Sequence, residues 1–182
     1  MNKEYWDKYY KTRNRQAPSD FVQFCAKYIE VGSTILDLGC GDGRDSAFLR
    51  TYGEVVAVDQ SGNLNLNGVE FIRQDMIEFL QEDRKFDVMY VRWVFHAVPE
   101  EVEDLILDYA QRNARQLLAE FRVIGDVSDD THWRRPIDLN DFAKKLFDRG
   151  FNLNYMNCEQ GYSKLGEDDP FLARIVGEFR NC

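Results

Sequence analysis

Three glycines alternate in the run Ile35-Leu36-Asp37-Leu38-Gly39-Cys40-Gly41-Asp42-Gly43-Arg44-Asp45-Ser46. An aspartate, Asp59, closes a second apolar run twenty residues after the first of them. Such glycines let the backbone turn tightly and bring main-chain N–H groups against a ligand with no Cβ in the way. An acid at the offset of Asp59 can accept hydrogen bonds from both hydroxyls of a ribose lying across strand ends. The chemistry on offer is nucleoside binding. The dinucleotide fingerprint G-x-G-x-x-G/A wants a small residue where helix meets strand. That place holds Arg44 or Ser46, depending on which glycine begins the count. Asp37, just before the first glycine, suits a ligand with an ammonium group better than a pyrophosphate.

A second set of reactive side chains lies further along. Arg92-Trp93-Val94-Phe95-His96 follows an apolar run, and an imidazole there titrates near neutrality and could act as a general base. Asp129-Asp130-Thr131-His132-Trp133-Arg134-Arg135-Pro136 offers a second histidine beside two arginines, whose forks match phosphate or carboxylate oxygens. Tyr162, Ser163 and Lys164 could line the same pocket. Each has a plainer alternative. His96 could cap or pack a helix, and the arginines could pair with Asp129, Asp130 or the Glu167-Asp168-Asp169 run. The balance of 23 basic against 32 acidic residues gives a net charge of −9, which argues against broad nucleic-acid binding and makes a basic cluster informative. The four cysteines form no C-x-x-C pair and there are only two histidines, so no metal site is expected and the thiols read as reduced. Neither an apolar signal core nor a membrane-length apolar run is present, and a cytoplasmic location is expected by default.

These groups need elements to hold them. Short apolar strands are expected over 34–38, 55–59, 69–73, 86–91 and 116–122, with helices over 45–51, 76–82 and 99–112 between them. A helix over 138–149 and strands over 151–157 and 171–179 follow. Alternation of this kind implies a parallel sheet covered on both faces. The final two strands have no helix between them and must be antiparallel. Upstream, Pro18-Ser19-Asp20 opens a helix whose apolar residues recur at helical spacing as far as Gly32. Tyr5, Trp6, Tyr9 and Tyr10 form an aromatic stripe before it, and residues 1–17 are expected to act as a lid on a single domain spanning 1–182.

The ordered set of residues resembles the class I S-adenosylmethionine (SAM) dependent methyltransferases. ILDLGCGDGRDS is similar to their first motif and Asp59 to the acid ending their second strand. Val69 to Met76 and Phe86 to Val91 are similar to their third and fourth strands. The resemblance implies a doubly wound, mostly parallel seven-stranded α/β sheet with an antiparallel last strand. It also implies SAM as methyl donor, held by Asp37, Gly39, Cys40, Gly41, Gly43, Asp59, Gln60, Asp75, Met76 and Val91. On the acceptor side, Arg92, Arg134, Arg135 and Tyr162 would bind a small anionic molecule, with His96 or His132 as base. No N/D-P-P-Y/F element follows the fourth strand, which sets the chain apart from nucleic-acid amino methyltransferases. R-x-x-x-H and H-W-R-R bring it closer to compact bacterial enzymes of small-molecule and surface-polysaccharide metabolism. One departure is the link 60–68, too short and too rich in Asn and Gly for the usual crossover helix. That leaves open a non-catalytic nucleoside-binding module, while the glycine loop alone leaves open an NAD-dependent oxidoreductase.

Overall fold

A computed structural model describes residues 6, 17–61, 64–123, 133–163 and 169–179. Seven strands form one sheet: β1 (Ser33–Leu38), β2 (Gly53–Asp59), β3 (Val69–Arg73), β4 (Phe86–Arg92), β5 (Ala114–Arg122), β6 (Phe151–Glu159) and β7 (Leu172–Phe179). Their order is β3-β2-β1-β4-β5-β7-β6, parallel throughout except for β7. The carboxyl ends of β1, β2, β4, β5 and β6 therefore share one edge with the start of β7. The expected fold class holds.

Strand alternation sends successive side chains to opposite faces, and both faces are apolar because helices cover both. Leu36, Met89, Leu117 and Ile175 face α3 (Met76–Phe79), α4 (Glu100–Asn113) and α5 (Leu139–Asp148), where Phe79, Ile106, Leu107, Phe142 and Leu146 complete the larger core. Ile35, Val88, Leu118 and Val176 face α1 (Asp20–Cys25) and α2 (Arg44–Leu49), meeting Phe21, Val22, Cys25 and Leu49. Helix α1 starts where the sequence places it, because the Ser19 hydroxyl accepts the Val22 N–H at 3.1 Å. It is shorter than expected and ends in a 3₁₀ turn, Ala26–Tyr28. Helix α3 is likewise a single turn.

No helix lies among the described residues between β2 and β3. Nine residues in helical form would climb only about 14 Å, but extended they reach roughly 30 Å, enough to return along the sheet. The link runs over α2, where Arg50 donates to the Asn67 carbonyl at 2.5 Å. Of the N-terminal aromatic stripe, only Trp6 is among the described residues, helical and half-buried. Tyr5, Tyr9, Tyr10 and most of the expected lid lie outside them. Among the described residues no helix is long and apolar enough to cross a membrane.

Candidate active site at the carboxyl edge of the sheet

Residues 39–43 turn from β1 into α2 with Gly39, Gly41 and Gly43 at φ 75°, 58° and 72°, a region side chains rarely adopt. Gly39 and Cys40 donate their N–H groups to the Val58 carbonyl at 2.8 and 3.2 Å. Gly41 N–H reaches Asp59 Oδ2 at 2.9 Å, and Ser61 N–H reaches Oδ1 at 2.8 Å. Asp59 thus ties two loops together at the carboxyl end of β2. A Cβ on Gly39 would meet Val94 Cγ2 at 2.5 Å, and one on Gly43 would meet Leu64 Cδ1 at 2.3 Å. The loop after β4 and the link 60–68 therefore close on the glycine turn from two sides.

The other donor-side residues divide. Gln60 is half-buried directly after Asp59, and Asp75 caps α3 by accepting the Ile77 N–H at 2.8 Å. Met76 and Val91 are buried in the larger core, so the side chain of Val91 has no route to a ligand. Burial also pushes the Cys40 thiol well above its ordinary range. Asp37 is not the free carboxylate expected from its place before the glycines. It is 2 % exposed and accepts the Ser46 hydroxyl at 2.5 Å. Desolvation raises its pKa to about 8, aided by Asp45 and Asp59 and opposed by the Ser46 hydrogen bond, so it is mostly neutral at pH 7.

The candidate acceptor side is built from one rung of the sheet. Arg92 of β4, Glu120 of β5, Arg174 of β7 and Asn157 of β6 are direct cross-strand partners in that order. Glu120, with no exposure, accepts from Arg92 Nε at 3.0 Å, Trp93 Nε1 at 3.0 Å and Arg174 Nε at 2.8 Å. Burial opposes the charge on Arg92, but Glu120, Tyr90 and Asp45 outweigh it and hold the guanidinium above its ordinary pKa. Arg92 also donates to the Ser163 hydroxyl at 3.2 Å. The Arg174 guanidinium lies 4.0 Å from the Tyr162 ring centroid and donates to the Tyr162 carbonyl. Asn157 and Tyr155 both hydrogen-bond the Tyr162 hydroxyl. Arg92 therefore meets Ser163, and Arg174 meets the neighbouring Tyr162, at the same end of the sheet.

Trp93 sits at φ 63°, uncommon for a bulky side chain, with the guanidinium carbons of Arg92 and Arg122 5.1 and 5.2 Å from its ring centroid. Beneath it, Asp45 accepts from Ser19 N and Oγ and from the Tyr90 hydroxyl, each at 2.8 Å. Asp45 therefore locks α1 to α2 and β4 rather than merely marking a helix start.

Two expectations are corrected. His96 is 2 % exposed, and its Nδ1 accepts the Arg122 N–H at 3.3 Å. With Nδ1 engaged by the backbone and the ring buried, packing outweighs a base role. Arg135 turns away, pairing with Glu103 of α4 and donating to the Val98 carbonyl at 3.4 Å. Glu103 is 2 % exposed and also binds Lys145, so Arg135 belongs to a helix-to-helix ion-pair network. Arg134 is half-buried, and His132 lies outside the described residues. Glu120, Arg122 and Arg174 belong to no local sequence motif. The available signal was charge at inward-facing positions of otherwise apolar strands, in phase with Leu118 and Val176.

This loop, acid and sheet order carry a family likeness that sequence comparison bears out over most of the chain. Residues 10–156 match a family described as a methyltransferase domain. The chain belongs to that family. Solved structures agree on the fold of the methyltransferase. TehB from Haemophilus influenzae superimposes with a TM-score of 0.73 at 19% identity, over 98% of this chain and 67% of that one. The 1,6-didemethyltoxoflavin-N1-methyltransferase of Burkholderia thailandensis, bound to 1,6-didemethyltoxoflavin and S-adenosylhomocysteine, gives 0.69 at 16% identity over 88% and 77%. Magnesium protoporphyrin IX methyltransferase from Synechocystis PCC 6803 with S-adenosylhomocysteine gives 0.68 at 18% over 88% and 80%. No curated protein matches the sequence.

Proposed function

We propose that this methyltransferase moves the methyl group of SAM to oxygen on a small anionic acceptor, phosphorylated or sugar-derived. The residues suit the donor. Three positive-φ glycines and the Asp59 carboxylate lie together where a nucleoside would sit, and glycine is required where Val94 and Leu64 approach. When bound, SAM supplies an electrophilic methyl on a sulfonium, and the protein's task is alignment for in-line displacement.

One observation carries the acceptor reading. In a chain of net charge −9, Arg92, Arg122 and Arg174 gather at the carboxyl edge around Trp93 and Glu120. Arg92 opens toward Ser163, and Val94 of the same loop touches the glycine turn, so an anion held there lies next to the donor. An acceptor oxygen already ionised in solution, as in a carboxylate, needs no proton removed. That suits a site whose buried histidine spends its lone pair on the backbone. The test is a metabolite screen following conversion of SAM to S-adenosylhomocysteine, with the acceptors that are consumed sorted by charge. Anionic acceptors are expected, and a neutral preferred acceptor refutes the reading.

A further inference from the structure

Burying a carboxylate between two guanidiniums is a poor route to stability, because desolvation offsets much of the attraction. What such a group does provide is fixed geometry. Glu120 has no exposure and cannot touch a substrate, yet both Oε1 bonds go to groups at the site, Arg92 Nε and Trp93 Nε1. Its main-chain carbonyl takes the Trp93 N–H as well, at 2.8 Å. Trp93 is held in the left-handed region from both sides of one residue, directly before Val94 packs on Gly39. The other oxygen, Oε2, binds Arg174, which donates to the Tyr162 carbonyl and lies against the Tyr162, Phe21 and Phe24 rings. Without that anion, the side chains of Arg92 and Arg174 would face each other across β5 as like charges.

We propose that Glu120 is the positioning residue of the acceptor site, fixing Arg92 and Trp93 in the arrangement that receives the acceptor's anionic group. This rests on the functional reading above. The donor half is held separately, by β1, β2 and the glycine turn, so the two halves should respond differently.

Two double variants separate positioning from packing. In E120Q/R174Q, the amide oxygen introduced at position 174 occupies the place of Arg174 Nε and accepts the amide N–H introduced at position 120. The amide oxygen at position 120 still accepts from Arg92 and Trp93. In E120L/R174M the ion pair is replaced by apolar groups, so Arg92 Nε and Trp93 Nε1 lose their shared acceptor, while the Ser163 bond of Arg92 and the main-chain bond of Trp93 remain. Both are expected to fold and to bind S-adenosylhomocysteine within about twofold of wild type by calorimetry. The acceptor found in the screen should show a KM raised more than about tenfold in E120L/R174M, with kcat changed far less, and a return to within about threefold in E120Q/R174Q. Emission from Trp93, isolated by Trp6→Phe and Trp133→Phe, reads the positioning without any acceptor. It should shift to the red in E120L/R174M only. Wild-type KM and emission in E120L/R174M would overturn the proposal, as would equal loss of S-adenosylhomocysteine affinity or failure of either variant to fold, which make the rung structural. If the screen yields no methylated product while the emission shift is present, the functional reading fails and the positioning of Trp93 stands.

Discussion

Asp37→Asn tests the electrostatics of the glycine turn. A carboxyl whose folded pKa is about 8, against an ordinary 3.8, keeps a proton in the folded state that the unfolded chain has released. Its contribution to stability is therefore complete below the ordinary value and is lost as pH rises toward 8. Each unit of pH in that window costs about 1.4 kcal/mol, so wild type should lose roughly 3 kcal/mol from this group between pH 5 and pH 7. Asparagine fills the same space, still accepts from Ser46 through its carbonyl oxygen, and does not titrate. Urea denaturation of both proteins at several pH values isolates the effect, because other titrating groups largely cancel in the difference. The stability of Asp37→Asn relative to wild type should climb with pH at about 1.4 kcal/mol per unit, then level off above pH 8. A difference that stays flat across that window would show that Asp37 is ionised in the fold and that water or a cation reaches it.

Three further outcomes follow from particular contacts. Asp59→Ala removes the partner of Gly41 and Ser61 as well as the ribose acceptor, and should weaken S-adenosylhomocysteine binding by about 1–3 kcal/mol in calorimetry. Ser19→Ala loses the cap on Val22 and the hydroxyl bond to buried Asp45, and should lower stability by about 2 kcal/mol in chemical denaturation. An unchanged midpoint would mean that the backbone N–H of Ser19 alone holds α1 in place. Arg135→Met breaks the contact with Glu103, which keeps Lys145, so about 1–3 kcal/mol of stability should go while the acceptor's KM stays put. A KM effect without a stability effect would return Arg135 to the site.

The strands, their alternation with helices and the antiparallel end were legible because apolar periodicity and glycine stops are local properties of the chain. The glycine turn and Asp59 were legible for the same reason, since one loop and one strand end supply them at a fixed offset. The short link 60–68 announced the missing helix by its length alone. The acceptor side was not legible in this way. Arg92, Glu120, Arg174 and Asn157 meet only because β7 inserts between β5 and β6, bringing residues 92 and 174 to either side of one carboxylate. No spacing along the chain encodes that rung. Arg135 and His96 misled for a related reason, because a residue type at the right end of a sheet does not say where its side chain turns. Glu103 on a helix drew one away, and a backbone N–H claimed the lone pair of the other. Asp37 shows the same division, its position set by the motif and its protonation by burial. The sequence by itself determined the layers and the donor turn, whose instructions are local. Tertiary structure alone decided which charges are paired, which are neutral and which gather at the carboxyl edge, because those depend on desolvation and on neighbours that only the folded sheet brings together.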